Sequence, residues 1–335
     1  MKKKYKNGLV LGRFCPIQNG HCYLIRTAAE QCDMLYVIVG STNADPIPGS
    51  IRYKWVSELF DNDNIKVIWC EDENPQLPSE CESLDIFYNN YWVPSVYSRI
   101  DKLDVIFTSE LYGDEFAHYL GIEHVMVDQP RNTYAISATK IRENPLDNWK
   151  FIPMIVRPYY SKTVVIMGPE STGKSTLAYK LAKHYRTNYV KEYGRTYSEQ
   201  KGVDNLTQED FGIIANKHQA DIKEMVRLGT KVTFIDTEAI TTKIFGEMYI
   251  PNFDPYEVNL VIKKQQFDLY LVLDIDGTSW VQDGTRRFEA ERKAHLERIC
   301  EELRNRSIPF VLITGNYEEK LEKAIREINL LGDLH

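Results

Sequence analysis

Short apolar runs alternate with longer stretches of helical periodicity along the whole chain. In the first half, the runs 8–11, 35–40, 65–69, 104–107 and 124–127 read as strands. Between them, 20–32, 50–60, 84–101 and 111–120 carry apolar residues at helical spacing. Continuous apolar runs suit strands buried on both faces, and intervening helices supply the crossovers that parallel strands need. The second half repeats the style, with strands predicted at 163–167, 188–191, 232–235, 269–273 and 309–313 and a helix over 176–185. The pattern predicts an α/β protein with a parallel sheet in each half. Pro153 and Pro158 interrupt helix near 155–162, and a fresh strand begins at Thr163, which predicts domains at 1–157 and 158–335. No close internal repeat, long linker or low-complexity segment is visible.

Composition narrows the class. A chain of 335 residues, 43% hydrophobic and 27% charged, can build two ordinary cores. The net charge of −7 argues against a nucleic-acid partner. The basic run from Met1 to Lys6 reads as a solvated tail. Cys15, Cys22, Cys32, Cys70, Cys81 and Cys300 form no C-x-x-C pair and suit neither zinc nor a disulfide framework, so a reducing, cytoplasmic setting is expected. No apolar run approaches the roughly 18 residues of a membrane span, and no signal-type segment follows the basic start, so no membrane partner is expected. Oligomeric state is not readable.

Two phosphate-binding patterns stand in series. The first is Gly12-Arg13-Phe14-Cys15-Pro16-Ile17-Gln18-Asn19-Gly20-His21, placed between a predicted strand and a predicted helix. Gly12 and Gly20 let backbone approach a ligand, and the following helix offers free N–H groups and a positive dipole end to phosphate. His21, in the first turn, can place a donor on the α-phosphate. These residues resemble the nucleotidyltransferase signature G-x-F-x-P-x-H-x-G-H. Phe14, Pro16, Gly20 and His21 match, while Gln18 stands where many members have histidine and can donate a hydrogen bond without carrying charge. Downstream, Ile136-Ser137-Ala138-Thr139-Lys140-Ile141-Arg142 resembles the I-S-x-T-x-x-R element of the same superfamily. Ser137 would cap a helix, and Thr139 and Arg142 would grip the phosphates that leave as pyrophosphate. The resemblance implies an ATP site made of Gly12, Arg13, Phe14, Gln18, Gly20, His21, Ser137, Thr139 and Arg142, with His21 and Arg142 catalytic.

The second pattern, Gly168-Pro169-Glu170-Ser171-Thr172-Gly173-Lys174-Ser175-Thr176, matches the P-loop G-x-x-x-x-G-K-[ST] between a predicted strand and helix. Its backbone would cradle phosphates, with Lys174 on the β/γ oxygens and the Ser175 hydroxyl on Mg²⁺. Glu192 and Asp236 end successive strands. They can divide the tasks of activating a hydroxyl and ordering magnesium, and which does which stays open. The loop 280–287, with Arg286, reads as a lid over phosphates.

Taken together, these segments resemble the bifunctional nicotinamide-nucleotide adenylyltransferase/ribosylnicotinamide kinase family from about residue 8 to the end. The stretch Arg142-Glu143-Asn144-Pro145 leading to Trp149 is the most family-specific piece. The resemblance implies a Rossmann-like nucleotidyltransferase domain followed by a P-loop kinase domain, both using ATP and Mg²⁺. It implies phosphorylation of nicotinamide riboside to nicotinamide mononucleotide by the second domain, and adenylylation of that mononucleotide to NAD by the first. Arg52 would hold the substrate phosphate, Trp55 and Trp92 would face the pyridine ring, and Tyr193 and Arg195 would join the riboside site. Some family members carry an N-terminal helix-turn-helix domain; with the first strand expected by residue 8, none is expected here. Two other readings stay open: a coenzyme A synthase-type adenylyltransferase/kinase fusion, and a nucleotide sensor with one inactive domain.

Overall fold

The computed structural model describes residues 3–129, 132–282 and 286–335, and the chain divides into two compact units, Met1–Val156 and Arg157–His335. The first unit is built on a five-stranded sheet of β1 (Tyr5–Gly12), β2 (Cys32–Gly40), β3 (Ile65–Cys70), β4 (Val105–Thr108) and β5 (Glu123–Met126). All pairings are parallel and the order is β3-β2-β1-β4-β5. Leu9, Val10, Val37, Ile106 and Phe107 have no exposed surface. Successive residues of a strand point to opposite faces, so burial of neighbours such as Leu9 and Val10 means both faces of the sheet are covered. Helices α1 (Asn19–Gln31), α2 (Gly49–Leu59) and α3 (Tyr112–Leu120) connect the strands, and α4 (Ala138–Glu143) follows β5. The order reverses between β1 and β4, which opens a crevice beyond their C-terminal ends, the usual ligand position in such sheets.

Two elements differ from expectation. The first strand begins at Tyr5, not at residue 8, because Tyr5 is buried against Phe107. Lys3 donates to the Ala29 carbonyl and Lys4 pairs with Glu123, so from residue 3 onward the basic run is anchored; Met1 and Lys2 lie outside the described residues. The expected helix 84–101 is three segments, Leu84–Ile86, a π-helical turn Phe87–Trp92, and Val93–Tyr97. Pro94 supplies the reason. It has no N–H, and its ring crowds the carbonyl four residues back, so the backbone widens and the Val93 N–H bonds to Tyr88.

The second unit repeats the layering with β6 (Lys162–Met167), β7 (Tyr189–Val190), β8 (Val232–Asp236), β9 (Leu269–Leu273) and β10 (Val311–Ile313) in the order β10-β9-β6-β8-β7, again all parallel. Helices α5 (Lys174–His184), α6 (Tyr193–Lys201), α7 (Gln208–Arg227), α8 (Ala239–Tyr249), α9 (Arg292–Asn305) and α10 (Tyr317–Asn329) cover the sheet. Phe211, Ile235, Ile244, Ile299 and Leu303 share one core, which ties α7, α8 and α9 to β8. Thr207 and Asp210 form a capping box that starts α7. Among the described residues, no helix is long and apolar enough to cross a membrane.

Candidate active sites

In the first unit a cleft of ≈ 540 Å³ opens at the ends of β1 and β4, lined by Gly12, Arg13, Phe14, Cys15, His21, Trp92, Thr108, Thr139 and Arg142 among others. A smaller cavity of ≈ 220 Å³, with Gln18, Gly20, Tyr134, Ile136 and Ser137 on its wall, shares His21, Leu24, Ser109, Glu110, Ala138 and Thr139 with it. The two are lobes of one site that meet at His21 and Thr139.

The turn after β1 sets His21. Gly12 faces the Phe14 ring, and a Cβ added there would stand 3.0 Å from it. Phe14, at φ +47, meets the imidazole edge-on, with centroids 5.2 Å apart and planes at 87°. His21 Nδ1 accepts the Gln18 backbone N–H at 3.3 Å. A neutral ring so held carries its proton on Nε2 and is a donor on that side. Gln18 caps α1: its Oε1 accepts the Gly20 N–H, completing a capping box with His21. Its carbonyl oxygen therefore orders the helix start, and the residue lines only the smaller lobe. Cys15 is buried, and all six cysteines are free thiols.

On the opposite wall Ser137 caps α4 by accepting the Lys140 N–H at 3.2 Å. Arg142 donates to the Cys15 carbonyl and, at 3.1 Å, to Thr139 Oγ1. The guanidinium thus ties the two phosphate motifs together. Trp92 stands on the cleft wall beside Phe87 and Tyr88, all from the π-helical turn, and anchors its Nε1 on the Pro75 carbonyl at 2.9 Å.

Arg52 and Trp55 do not take the places expected of them. The Arg52 side chain has no exposed surface. Its Nε donates to Ile47 O at 2.9 Å, Nη1 to Gly40 O at 2.8 Å and to Arg13 O, and Nη2 pairs with Asp45. A guanidinium committed to three carbonyls and a buried carboxylate, with no exposed surface, is a clamp on the ends of β1 and β2 and is closed off from a phosphate in the cleft. Trp55 is buried on α2 and lines neither lobe. Arg13, half-exposed and paired with Asp45, stays on the cleft wall.

In the second unit the loop after β6 adopts the conformations its glycines permit: φ is +146° at Gly168 and +89° at Gly173. A Cβ on Gly168 would come within 2.8 Å of the Leu273 carbonyl, and one on Gly173 within 2.5 Å of the Tyr317 ring. Thr172 Oγ1 and Lys174 Nζ both donate to the Pro169 carbonyl, at 2.8 and 2.9 Å. The loop borders a cavity of ≈ 190 Å³ whose wall includes Glu170, Ser171, Gly173, Lys174, Ser175, Thr176, Glu192, Tyr193, Arg195 and Arg286.

Asp236 and Glu192 are neighbours there. Burial raises the Asp236 carboxyl, opposed by Lys174 and by the nearby Ser175 hydroxyl. Burial and then the Asp236 charge push Glu192 up to about 7, against Lys174 and Arg195. Asp236 Oδ1 is buried without a hydrogen-bond partner. An orphaned carboxylate oxygen beside a P-loop hydroxyl is a hard-oxygen donor set that fits Mg²⁺. Among the described residues, no group of three or more His, Cys, Asp or Glu could hold a metal ion. That is expected where nucleotide phosphates supply much of the coordination.

The loop after β9 is clasped to the P-loop. Arg286 Nη1 donates to Ser171 Oγ at 3.0 Å, and Glu170 Oε2 accepts the N–H groups of Arg287 and Phe288 at 3.3 and 3.2 Å. Arg287 forms a bidentate pair with Asp204, just after α6. Residues 283–285 of this expected lid lie outside the described residues. Phe211, Ile214, His218, Thr241, Phe245 and Tyr249 also line the cavity and were not singled out in the sequence. They come from α7 and α8, where apolar periodicity reads as core.

A Rossmann-like nucleotidyltransferase unit followed by a P-loop kinase unit is the class these folds and sites define. Comparison with known proteins agrees. The family profile described as "Citrate lyase ligase C-terminal domain" matches residues 8–139, and that described as "AAA domain" matches 163–320. The trifunctional NAD biosynthesis/regulator protein NadR of Salmonella typhimurium is 33% identical over 99% of this chain and 85% of its own length. NadR of Escherichia coli is also 33% identical, with the same coverage. A crystal structure of a NadR protein in complex with NR superimposes with a TM-score of 0.82 at 25% identity, covering 99% of this chain and 97% of that one. The chain belongs to the NadR family of NAD biosynthesis proteins.

Proposed function

We propose that this chain makes NAD from nicotinamide riboside in two ATP-dependent steps, one in each unit. The observation that carries the reading is the presence of two separately built phosphate cradles, one beyond the strand ends of each sheet. NadR relatives of near full coverage, and a NadR structure with NR, support the choice of substrate.

In the kinase unit the riboside lies along the cavity between Glu192 and the aromatic wall. Glu192 lines that cavity, whereas Asp236 does not, so Glu192 takes the proton from the 5′-hydroxyl as its oxygen attacks the γ-phosphorus and ADP leaves. Tyr193 and Arg195, on the same wall, hold the ribose side. Lys174 and the N–H groups of the P-loop carry the charge on the phosphates; Arg286 and Glu170 hold the lid loop on it. Ser175 and Asp236 would hold Mg²⁺, which would supply charge neutralisation on the nucleotide phosphates.

In the adenylyltransferase unit the aromatic lobe with Trp92 takes the pyridine mononucleotide, and the lobe behind Gly20 and Ser137 takes ATP. A phosphate oxygen of the mononucleotide attacks the α-phosphorus, and the bond to the β-phosphate breaks. The His21 Nε2–H meets the charge developing on the α-phosphate, while Arg142 and Thr139 hold the departing pyrophosphate. No covalent enzyme intermediate is formed.

The test is a substrate panel with MgATP: nicotinamide riboside, nicotinamide mononucleotide, phosphopantetheine and dephospho-coenzyme A. Conversion of the first two and not the last two supports the reading. Turnover of the pantetheine compounds alone would establish a coenzyme A synthase-type fusion instead. Binding of ATP with no turnover of any of the four would leave a sensor.

A further inference from the structure

The kinase cavity carries two polar groups whose hydrogen bonds are unmet, and neither belongs to the phosphate machinery. His218, on α7, is 3% exposed, and Thr241, on α8, is 1% exposed; both line the cavity. His218 Nε2 contacts the Thr237 carbonyl at 3.2 Å. A carbonyl only accepts, so Nε2 bears the proton, and Nδ1 of the neutral ring is left as a lone-pair acceptor. Nδ1 is buried without a hydrogen-bond partner, and so is Thr241 Oγ1. Burial, the largest influence on this imidazole, favours its neutral form. Thr237 holds φ +65°, a conformation a β-branched residue rarely takes, and its carbonyl is what sets the His218 tautomer.

A buried acceptor and a buried hydroxyl left unpaired each cost free energy unless a ligand answers them. Their common complement is a planar primary amide: its N–H donates to Nδ1, and its C=O accepts from the hydroxyl. A carboxylate answers only one, because its oxygens cannot donate to Nδ1. The other residues of α7 and α8 on this wall include Phe211, Ile214, Thr242, Phe245 and Tyr249, and no Lys or Arg that would welcome a negative charge. We propose that His218 Nδ1 and Thr241 Oγ1 read the carboxamide of the riboside's pyridine ring, and so select nicotinamide riboside against nicotinic acid riboside. This rests on the reading of the second unit as a ribosylnicotinamide kinase.

The experiment measures kcat/KM of the full chain with MgATP on three compounds: nicotinamide riboside, nicotinic acid riboside, and the pyridine riboside that lacks the carboxamide. Sites built around hydrogen bonds reject analogues that leave buried groups unpaired, so the wild-type chain is expected to favour the amide over the acid by about a hundredfold or more. Thr241→Val, which keeps the shape and removes a hydroxyl that an amide or a carboxylate oxygen can equally accept from, should lower kcat/KM about tenfold for both of those ribosides and leave their ratio in place. It should also shrink the loss seen on deleting the carboxamide. His218→Leu, which removes the acceptor that only the amide answers, should lower the amide-over-acid ratio to about tenfold or less, with circular dichroism checking that it folds. Comparable wild-type kcat/KM values for the amide and acid ribosides would overturn the assignment even if His218→Leu fails to fold. So would a kcat/KM for the amide riboside that Thr241→Val leaves unchanged, or an amide-over-acid preference that a folded His218→Leu retains. Turnover of none of the three ribosides would instead refute the kinase reading itself.

Discussion

Replacing His21 with alanine separates the chemistry of the first unit from its architecture. The side chain's contacts in the structure include the Gln18 N–H, which Nδ1 accepts at 3.3 Å, and the Phe14 ring, which it meets edge-on. Losing the first leaves one N–H at the start of α1 without its partner and costs about 1 kcal/mol of stability. Losing the aromatic contact adds about 0.5–1 kcal/mol. Both are small against an ordinary domain stability of about 5–15 kcal/mol, so the unit stays folded. The catalytic loss is larger. A preorganised donor aimed at developing charge is worth about 2.7–4 kcal/mol, or about 10²–10³ in kcat. The assay follows NAD formation from nicotinamide mononucleotide and MgATP through a coupled dehydrogenase, alongside thermal denaturation. The expected result is a fall in kcat of at least about a hundredfold, with a melting temperature lowered by only a few degrees. An unchanged kcat would remove His21 from the reaction; a collapse of the folded state would show that the ring is there for the helix.

Lys174→Ala should abolish phosphorylation of nicotinamide riboside while adenylylation of the mononucleotide continues; loss of both would contradict independent sites. Arg52→Ala should destabilise the first unit by about 3 kcal/mol, because it leaves Asp45 buried beside orphaned carbonyls, and denaturant unfolding checks this. A variant with normal stability and only a raised KM for the mononucleotide would restore Arg52 to the substrate site. Asp210 gives a pH prediction. Burial alone would raise its carboxyl, but hydrogen bonds from Lys201, Tyr197 and Thr207 outweigh burial and hold it at about 2. A depressed carboxylate contributes stability that is complete above its ordinary range near 4 and is lost as pH falls toward 2, here about 2 kcal/mol. Asp210→Asn should therefore lower stability near neutrality and flatten its decline between about pH 4 and pH 2; an unaltered pH profile would refute the assignment.

Both sheets were legible because parallel strands covered on two faces must be written as continuous apolar runs, and Leu9-Val10 and Val164-Val165 announce themselves in that way. The P-loop was legible because its chemistry depends on backbone shape, and glycine at 168 and 173 records that shape directly. Arg52 was misread for a physical reason. An arginine at a helix start can hold a phosphate or carbonyls, and the deciding partners, Gly40 and Arg13, arrive from two other strand ends. The π-helical turn that brings Phe87 and Trp92 to the cleft depends on how the chain relieves Pro94, which periodicity alone does not reveal. His218 and Thr241 look like core positions on apolar helices; only the tertiary structure shows that His218 Nδ1 and Thr241 Oγ1 have no protein partner.

The most direct test of two coupled sites on one chain is the product stoichiometry from nicotinamide riboside and excess MgATP. The account predicts one ADP and one pyrophosphate for every NAD formed, with nicotinamide mononucleotide accumulating in the His21→Ala variant. ADP formation without NAD in the wild-type chain, or NAD formation without pyrophosphate, would contradict it.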